Sequence, residues 1–285
     1  MSSDMHWSQI LITSLVQGIT ELFPISSVGH AVILPYLAGW SDMLDSDQFL
    51  PFVVMLHLGT ALALVIYFFR DWLDFIGALF QTAHPNRSRA ARRRTLLLLV
   101  VATIPAAIIG KLFEHKFREL FSSSLSAAIF LMVNGVILLI ADRLKRGPGH
   151  LRIAKMSYVQ SFLIGCAQVL ALIPGISRSG ITMTAGLGTG LSYEESARFS
   201  FLLATPIILG AGILEVPKVL KTHETHILQY GVVGGILAGI VAYVSTAFLM
   251  KYFKTHEVRA FRPFAYYCIG IGAIVAVMSI AHIHF

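Results

Sequence analysis

Six stretches of this chain are apolar for long enough, or nearly so, to cross the ~30 Å hydrocarbon core of a bilayer. They are Pro51–Phe69, Thr95–Phe113, Leu125–Ala141, Ala197–Leu214, Ile227–Met250 and Phe264–His282. In lipid no water satisfies a bare N–H or C=O, so such runs must become helices or close into a barrel. Continuous apolar runs of this length select helices. The expected fold class is an all-α polytopic membrane protein. Composition agrees: only 13% of the 285 residues are charged, against roughly 25% in a soluble domain. The N-terminus does not read as a cleavable signal, since Met1–Trp7 holds no Lys or Arg and Glu21 interrupts the apolar run behind it.

Two further regions, Ser8–Gly39 and Ser157–Leu191, have a different character. Each begins with an arm of ~16 residues, about 24 Å of helix, then breaks at Pro, Gly and Ser and resumes as a second short arm. That is the pattern of a re-entrant helical hairpin, whose irregular backbone is tolerated at membrane depth only against protein or a watery cavity.

Basic residues orient the segments. Sixteen of the 22 Lys and Arg fall in Arg70–Arg94, Asp142–Met156 and Lys251–Arg262, read as loops, and at Arg198; five fall on the other side, at Lys111, Lys116, Arg118, Lys218 and Lys221. The richer set is expected in the cytoplasm. This bias also accounts for the net charge of +7 without nucleic acid. Ser157–Leu191 must then start and end inside, and Ser8–Gly39 outside, where Trp7 and Trp40 flank it as interfacial aromatics. The expectation is six transmembrane helices plus two re-entrant helical hairpins in one membrane domain spanning 1–285. Its halves (about 8–141 and 157–282) form an inverted repeat, with both breaks near the midplane. A shift of 151 places Gln17, Ile25, Ser26 and Gly29 on Gln168, Ile176, Ser177 and Gly180, a weak echo of that repeat. Cys166 and Cys268 lie in apolar helices without metal-type spacing and read as small core residues.

The two breaks carry the chemistry. Glu21 is the only acid, and Arg178 the only strong base, placed outside expected loops and helix ends. Each costs about 2.5–3.5 kcal/mol in hydrocarbon even on lenient scales, so they read as halves of one polar site. Gln17 and Glu21, spaced i and i+4, share a helix face with Thr13 and Thr20; helix–helix hydrogen bonding is the competing reading for Gln17. Ser26 and Ser27 suit the N-cap of the resumed helix. His30 is three residues beyond Ser27, placed to act as base, as proton donor or as nucleophile. In the second break, Ser177-Arg178-Ser179-Gly180 opens a helix with hydroxyls, free N–H groups and a guanidinium, a combination suited to phosphate. His57, within a spanning segment, reads as a core or cavity-lining residue, because nothing near it in sequence is polar enough to make a site.

These motifs resemble a known family. QGITELFPISSVGH is similar to the acid-bearing SS-x-GH segment of undecaprenyl-diphosphate phosphatases, the bacitracin-resistance membrane enzymes, and PGISRSGIT follows their PGxSRSxxT motif at every defined position. The similarity runs essentially end to end. It implies hydrolysis of undecaprenyl diphosphate to the monophosphate and phosphate, recycling a lipid carrier for cell-wall synthesis. It also implies a divalent cation, Mg²⁺ or Ca²⁺, and a multi-pass protein of the bacterial inner membrane whose site opens to the periplasm. By the same resemblance Glu21, Ser27, His30 and Arg178 are catalytic, and Ser26, Ser177, Arg178, Ser179 and Thr182 bind phosphate. Glu21 and Gln17 face the metal. The chain departs from the family at Gln17, where many members carry an acid, and at Val28, where Thr is usual. Another phosphatase family, with PSGH and SRxxxxxH motifs, fits poorly: the position of its second histidine is Thr184 here. The alternative function is a polyprenyl-lipid transporter or flippase using the inverted halves. The expected partners are a polyprenyl diphosphate lipid and membrane lipids; a homodimer stays open, as does the choice of Ser27 or His30 as nucleophile.

Overall fold

Wherever the sequence is continuously apolar the chain is helical, and it leaves the helix where Pro, Gly and Ser cluster. The computed structural model describes residues 5–40, 43, 46, 48–80, 87–113, 123–144, 149–221, 225–256, 258–281 and 283, and among them there is no strand. The helices are α1 (Trp7–Thr20), α2 (Ser27–Leu37), α3 (Phe49–Tyr67), α4 (Phe69–Phe80), α5 (Arg87–Leu112), α6 (Ser124–Leu144), α7 (Tyr158–Gln168), α8 (Arg178–Gly188), α9 (Tyr193–Lys221), α10 (Thr225–Thr255) and α11 (Arg262–Ile280). Six of these, α3, α5, α6, α9, α10 and α11, are long and apolar enough to span a membrane, and they coincide with the six apolar runs of the sequence. The chain is an all-α, multi-pass membrane protein.

The two short pairs, α1–α2 and α7–α8, sit between the long helices. The first arms run 14 residues in α1 and, with a 3₁₀ segment at Val169–Leu172 continuing α7, from Tyr158 to Leu172, about 21 and 24 Å, short of the ~30 Å core. The two ends of each pair lie near one another. Met5 and Trp40, on either side of α1–α2, belong to one apolar cluster with Phe49, Phe52 and Tyr230. On either side of α7–α8, the Leu151 N–H donates to the Gly190 carbonyl at 3.2 Å and Leu151 bridges to Leu191. A capping box at Ser157 and Gln160 starts α7.

Each first arm packs on a long helix of the other half, through positions where no side chain fits. A Cβ on Gly18 of α1 would lie 2.6 Å from the Ala238 carbonyl of α10, and one on Gly165 of α7 would lie 2.4 Å from the Ala102 carbonyl of α5. Likewise α3 meets α10 where Gly59 faces the Gly235 carbonyl, and α6 meets α11 through Gly135 and Gly272. Without a hydrophobic drive between helices in lipid, such close backbone approach is what van der Waals attraction can use.

Two regions read as loops have more structure than the count of basic residues suggested. Arg70–Arg94 contains all but the first residue of α4 and the start of α5. In α4 the residues Phe69, Leu73, Ile76 and Phe80 form an exposed apolar stripe at helical spacing, the mark of a helix lying in the membrane interface. Asp142 is no loop residue but a buried side chain at the end of α6, accepting bonds from the Tyr193 hydroxyl and the Phe261 N–H. The basic regions gather at one end of the bundle: Arg198 pairs with Asp71, Arg92 with Asp74 at 3.0 Å, and Arg94 donates to the Met156 carbonyl. Cys268 is buried as expected, whereas Cys166 is exposed on the outer, apolar face of α7 rather than in the core.

Candidate active site

The two breaks meet backbone to backbone. A Cβ on Gly29 would lie 3.0 Å from Gly175 Cα, and Gly175 itself, at φ +102°, presses against the Ala127 carbonyl of α6; only glycine allows both the angle and the approach. Asn134 of α6 joins the two turns. Its amide donates to the Pro24 carbonyl at 2.9 Å and its oxygen accepts from the Ser177 N–H at 3.0 Å. Ser179 donates to the Phe23 carbonyl at 3.0 Å, and Ser26 to the Ile176 carbonyl at 3.3 Å.

Ser26 caps α2 by accepting from the Gly29 N–H, as Ser177 caps α8 by accepting from Gly180. Ser26 does so at φ 68°, ψ 97°, a conformation costing a non-glycine residue about 1–3 kcal/mol. His30 holds it there: Nδ1–H donates to the Ser26 carbonyl at 2.7 Å, and Nε2 lies 2.8 Å from the Tyr267 hydroxyl. Both ring nitrogens are thus engaged away from Ser27, and His30 does not line the cavity described below. The expected facing of His30 and Ser27 is absent.

Glu21 is the hub instead. Its Oε2 accepts from the Ser27 hydroxyl at 2.6 Å and from the Gln17 amide at 3.0 Å, and its Oε1 accepts from Arg178 at 2.9 Å. His57 Nε2 lies 3.3 Å from Oε2, with the ring fixed by Nδ1–H donating to the Val53 carbonyl at 2.8 Å. Glu21 is 5% exposed, and burying a carboxylate this far requires such partners. Arg178 also reaches the Ser200 carbonyl. These groups line a cavity of about 210 Å³: Glu21, Ser26, Ser27, His57, Ser177 and Arg178 supply its polar side, and Val28, Val54, Ile207 and Ile208 part of its apolar side.

The structure therefore brings Gln17, Glu21, Ser26, Ser27, Ser177 and Arg178 together. Ser179 and Thr182 stand behind the cavity: Ser179 is bonded to the first break, and Thr182 to Ser200 at 2.7 Å and to the Arg178 carbonyl. His57 and Asn134 were not assigned to the site from sequence. The one signal each offered was a polar side chain in an otherwise apolar span. Tyr267 offered none.

Among the described residues no group of three or more His, Cys, Asp or Glu could hold a metal. Mg²⁺ and Ca²⁺ take six or more oxygens. Among the described residues Glu21 is the only carboxylate lining the cavity, and it is already bonded to Arg178, Ser27 and Gln17. These donors do not form a resident cation site.

Comparison with known proteins follows the same motifs. Residues 10–274 match the family described as Bacitracin resistance protein BacA. An undecaprenyl-diphosphatase of Granulibacter bethesdensis is 47% identical over 95% of this chain and 96% of its own length. An undecaprenyl-diphosphatase 2 of Chromobacterium violaceum is 44% identical over 95% and 98%, and one of Oenococcus oeni 45% over 94% and 97%. With both breaks and nearly the whole length included in these matches, the chain belongs to the bacitracin resistance protein BacA family.

Proposed function

We propose that the chain is an undecaprenyl-diphosphatase, hydrolysing undecaprenyl diphosphate to undecaprenyl phosphate and phosphate in the cavity around Glu21. One observation carries the assignment of the site: an acid, a serine hydroxyl and a guanidinium from two distant breaks form a continuous hydrogen-bonded chain, Ser27–Glu21–Arg178, along a cavity wall. The relatives named as diphosphatases favour this over lipid transport, which would use the same architecture.

Ser27 is the group this geometry equips for attack. Its hydroxyl proton already points to Glu21, so the Oγ–phosphorus bond forms as that proton passes to the carboxylate and the anhydride P–O bond breaks. Undecaprenyl phosphate departs with the bonding pair, and water then releases phosphate from the serine. Arg178 and the capped N-termini of α2 and α8 face the charge gathering on the equatorial oxygens. His30 supports the strained turn that presents Ser27. A divalent cation, Mg²⁺ or Ca²⁺, would enter as part of the substrate, carried on the diphosphate. The short helix pairs are re-entrant, the halves are inverted, the basic end lies in the cytoplasm, and the cavity opens to the periplasm of the bacterial inner membrane.

The test is phosphate release from undecaprenyl diphosphate by the purified chain. Arg178→Lys keeps charge beside Glu21 but loses the planar fork, and turnover should drop by about 100-fold, equivalent to about 2.7 kcal/mol. Ser27→Ala should abolish release. Near-normal turnover in either variant rejects this site.

A further inference from the structure

The turn that presents Ser27 is gripped from outside the polar cavity, by one face of α11. Phe264, Tyr267 and Cys268 are spaced i, i+3 and i+4 and so share that face. Each of them meets the first break or the helix that resumes after it. The Phe264 ring lies against Phe23, with centroids 5.6 Å apart at 81°. The Cys268 thiol is 3.9 Å from the Pro24 carbonyl. Tyr267 reaches His30: its hydroxyl is 2.8 Å from Nε2, and the two rings are nearly parallel, 8° apart with centroids at 5.6 Å. None of the three lines the polar cavity.

The Tyr267 hydroxyl decides which nitrogen of His30 carries the proton. A carbonyl only accepts, so the 2.7 Å bond to Ser26 requires a proton on Nδ1. The ring is buried, and among the described residues its bonded groups include no carboxylate. It is therefore neutral, because a buried imidazolium would need a counter-charge. Nε2 is then an acceptor, and Tyr267 donates to it. Without that donor the proton is free to move to Nε2, which turns the Nδ1 lone pair toward the Ser26 carbonyl and breaks the bond between them. Ser26, at φ 68°, is the residue which that bond restrains. Ser27, whose Oγ lies 2.6 Å from Glu21 Oε2, comes next in the chain, so an error at one is passed directly to the other.

We propose that Tyr267 is a positioning residue for the nucleophile: it fixes the His30 tautomer, His30 holds the strained turn at Ser26, and that turn aims the Ser27 hydroxyl. This rests on the diphosphatase reading with Ser27 as the attacking group. It gives His30 a part in turnover without contact with the reacting atoms, and it makes α11, the last helix of the chain, a component of the active site. Misplacing a nucleophile by about 1 Å costs on the order of 10²-fold in rate. Arg178 and the cavity walls around the diphosphate stay where they are. Loss of the hydroxyl is therefore read in kcat and not in KM.

Y267F removes the hydroxyl and keeps the ring, and Tyr267 is 41% exposed, so the change opens no cavity. With undecaprenyl diphosphate, Y267F should lose about tenfold or more in kcat, with KM within about twofold of wild type and an unaltered melting temperature. Y266F, the same deletion on a more exposed neighbour, should match wild type. The companion measurement is the imidazole nitrogen NMR spectrum of histidine-labelled protein, with the His30 signals identified by their loss in H30Q. Wild type should show His30 with its proton on Nδ1 alone, and Y267F should show both tautomers; a tyrosine that only packed against the ring would change neither kcat nor the tautomer. Wild-type kcat in Y267F, or a loss confined to KM, overturns the proposal and leaves the diphosphatase reading intact. A reduced kcat with His30 still wholly in the Nδ1–H form overturns it too, since the tautomer is the link. Absence of phosphate release by the wild-type protein would defeat the diphosphatase reading itself and, with it, any part for Tyr267 in turnover.

Discussion

Asn134 carries both breaks on one side chain, because an amide offers a donor and an acceptor in opposite directions. Its replacement by Leu would leave the Pro24 carbonyl and the Ser177 N–H without their bonds to it, at about 1–3 kcal/mol for each group orphaned. N134L should therefore melt at a lower temperature and lose at least tenfold in phosphate release. N134D keeps an acceptor for Ser177 but has no donor for Pro24, and should rescue little. Wild-type activity in N134L, with thermal unfolding as the companion measurement, would show that the breaks hold themselves. At this scale the sequence was informative where a charge stood in an apolar run, which is why Glu21 and Arg178 were legible. It was silent where a partner is remote: Asn134 is 110 residues from Pro24 and 43 from Ser177, and Tyr267, beside His30, is 237 residues away. A lone histidine offers several roles, and here a tyrosine on α11 sets which way it faces.

At the scale of elements, apolar length located all six spanning helices, since satisfying the backbone in lipid leaves few alternatives. The breaks were legible for the complementary reason, that Pro, Gly and Ser end a helix wherever they cluster. What the sequence concealed was α4, whose apolar stripe is interleaved with Arg70, Asp71 and Asp74 in a segment dominated by charge. The elements also yield a topological prediction. Ser88 at the start of α5 and Ser123 just before α6 are both exposed and are separated by the α5 span. Single cysteines at these positions should react with an impermeant maleimide from opposite faces of the membrane, Ser88 from the cytoplasm. Exposed Cys166 must first be changed to serine, or it will report in both. Labelling of both sites from one face would remove α5 as a spanning helix.

Across the whole molecule, the first arm of each half rests on a long helix of the other, and the site is closed only when both breaks are in place. The order in which the ribosome delivers those breaks then matters. Glu21 and Arg178 are 157 residues apart, and at ~5–20 residues per second the arginine follows the acid by about 8–30 s. For that interval the nascent first half holds a carboxylate in or near lipid with no guanidinium to meet it, at a cost of several kcal/mol. A fragment ending at Ala141 makes the interval permanent. In a pulse-chase experiment it should be degraded faster than the same fragment carrying E21Q, whereas in the full chain Glu21 should carry no such penalty. Equal half-lives for the two fragments would mean that water or a chaperone shelters the acid from the start. Otherwise Glu21 is a timer: the membrane's proteases can read it as a sign of incompleteness until the second break arrives to silence it.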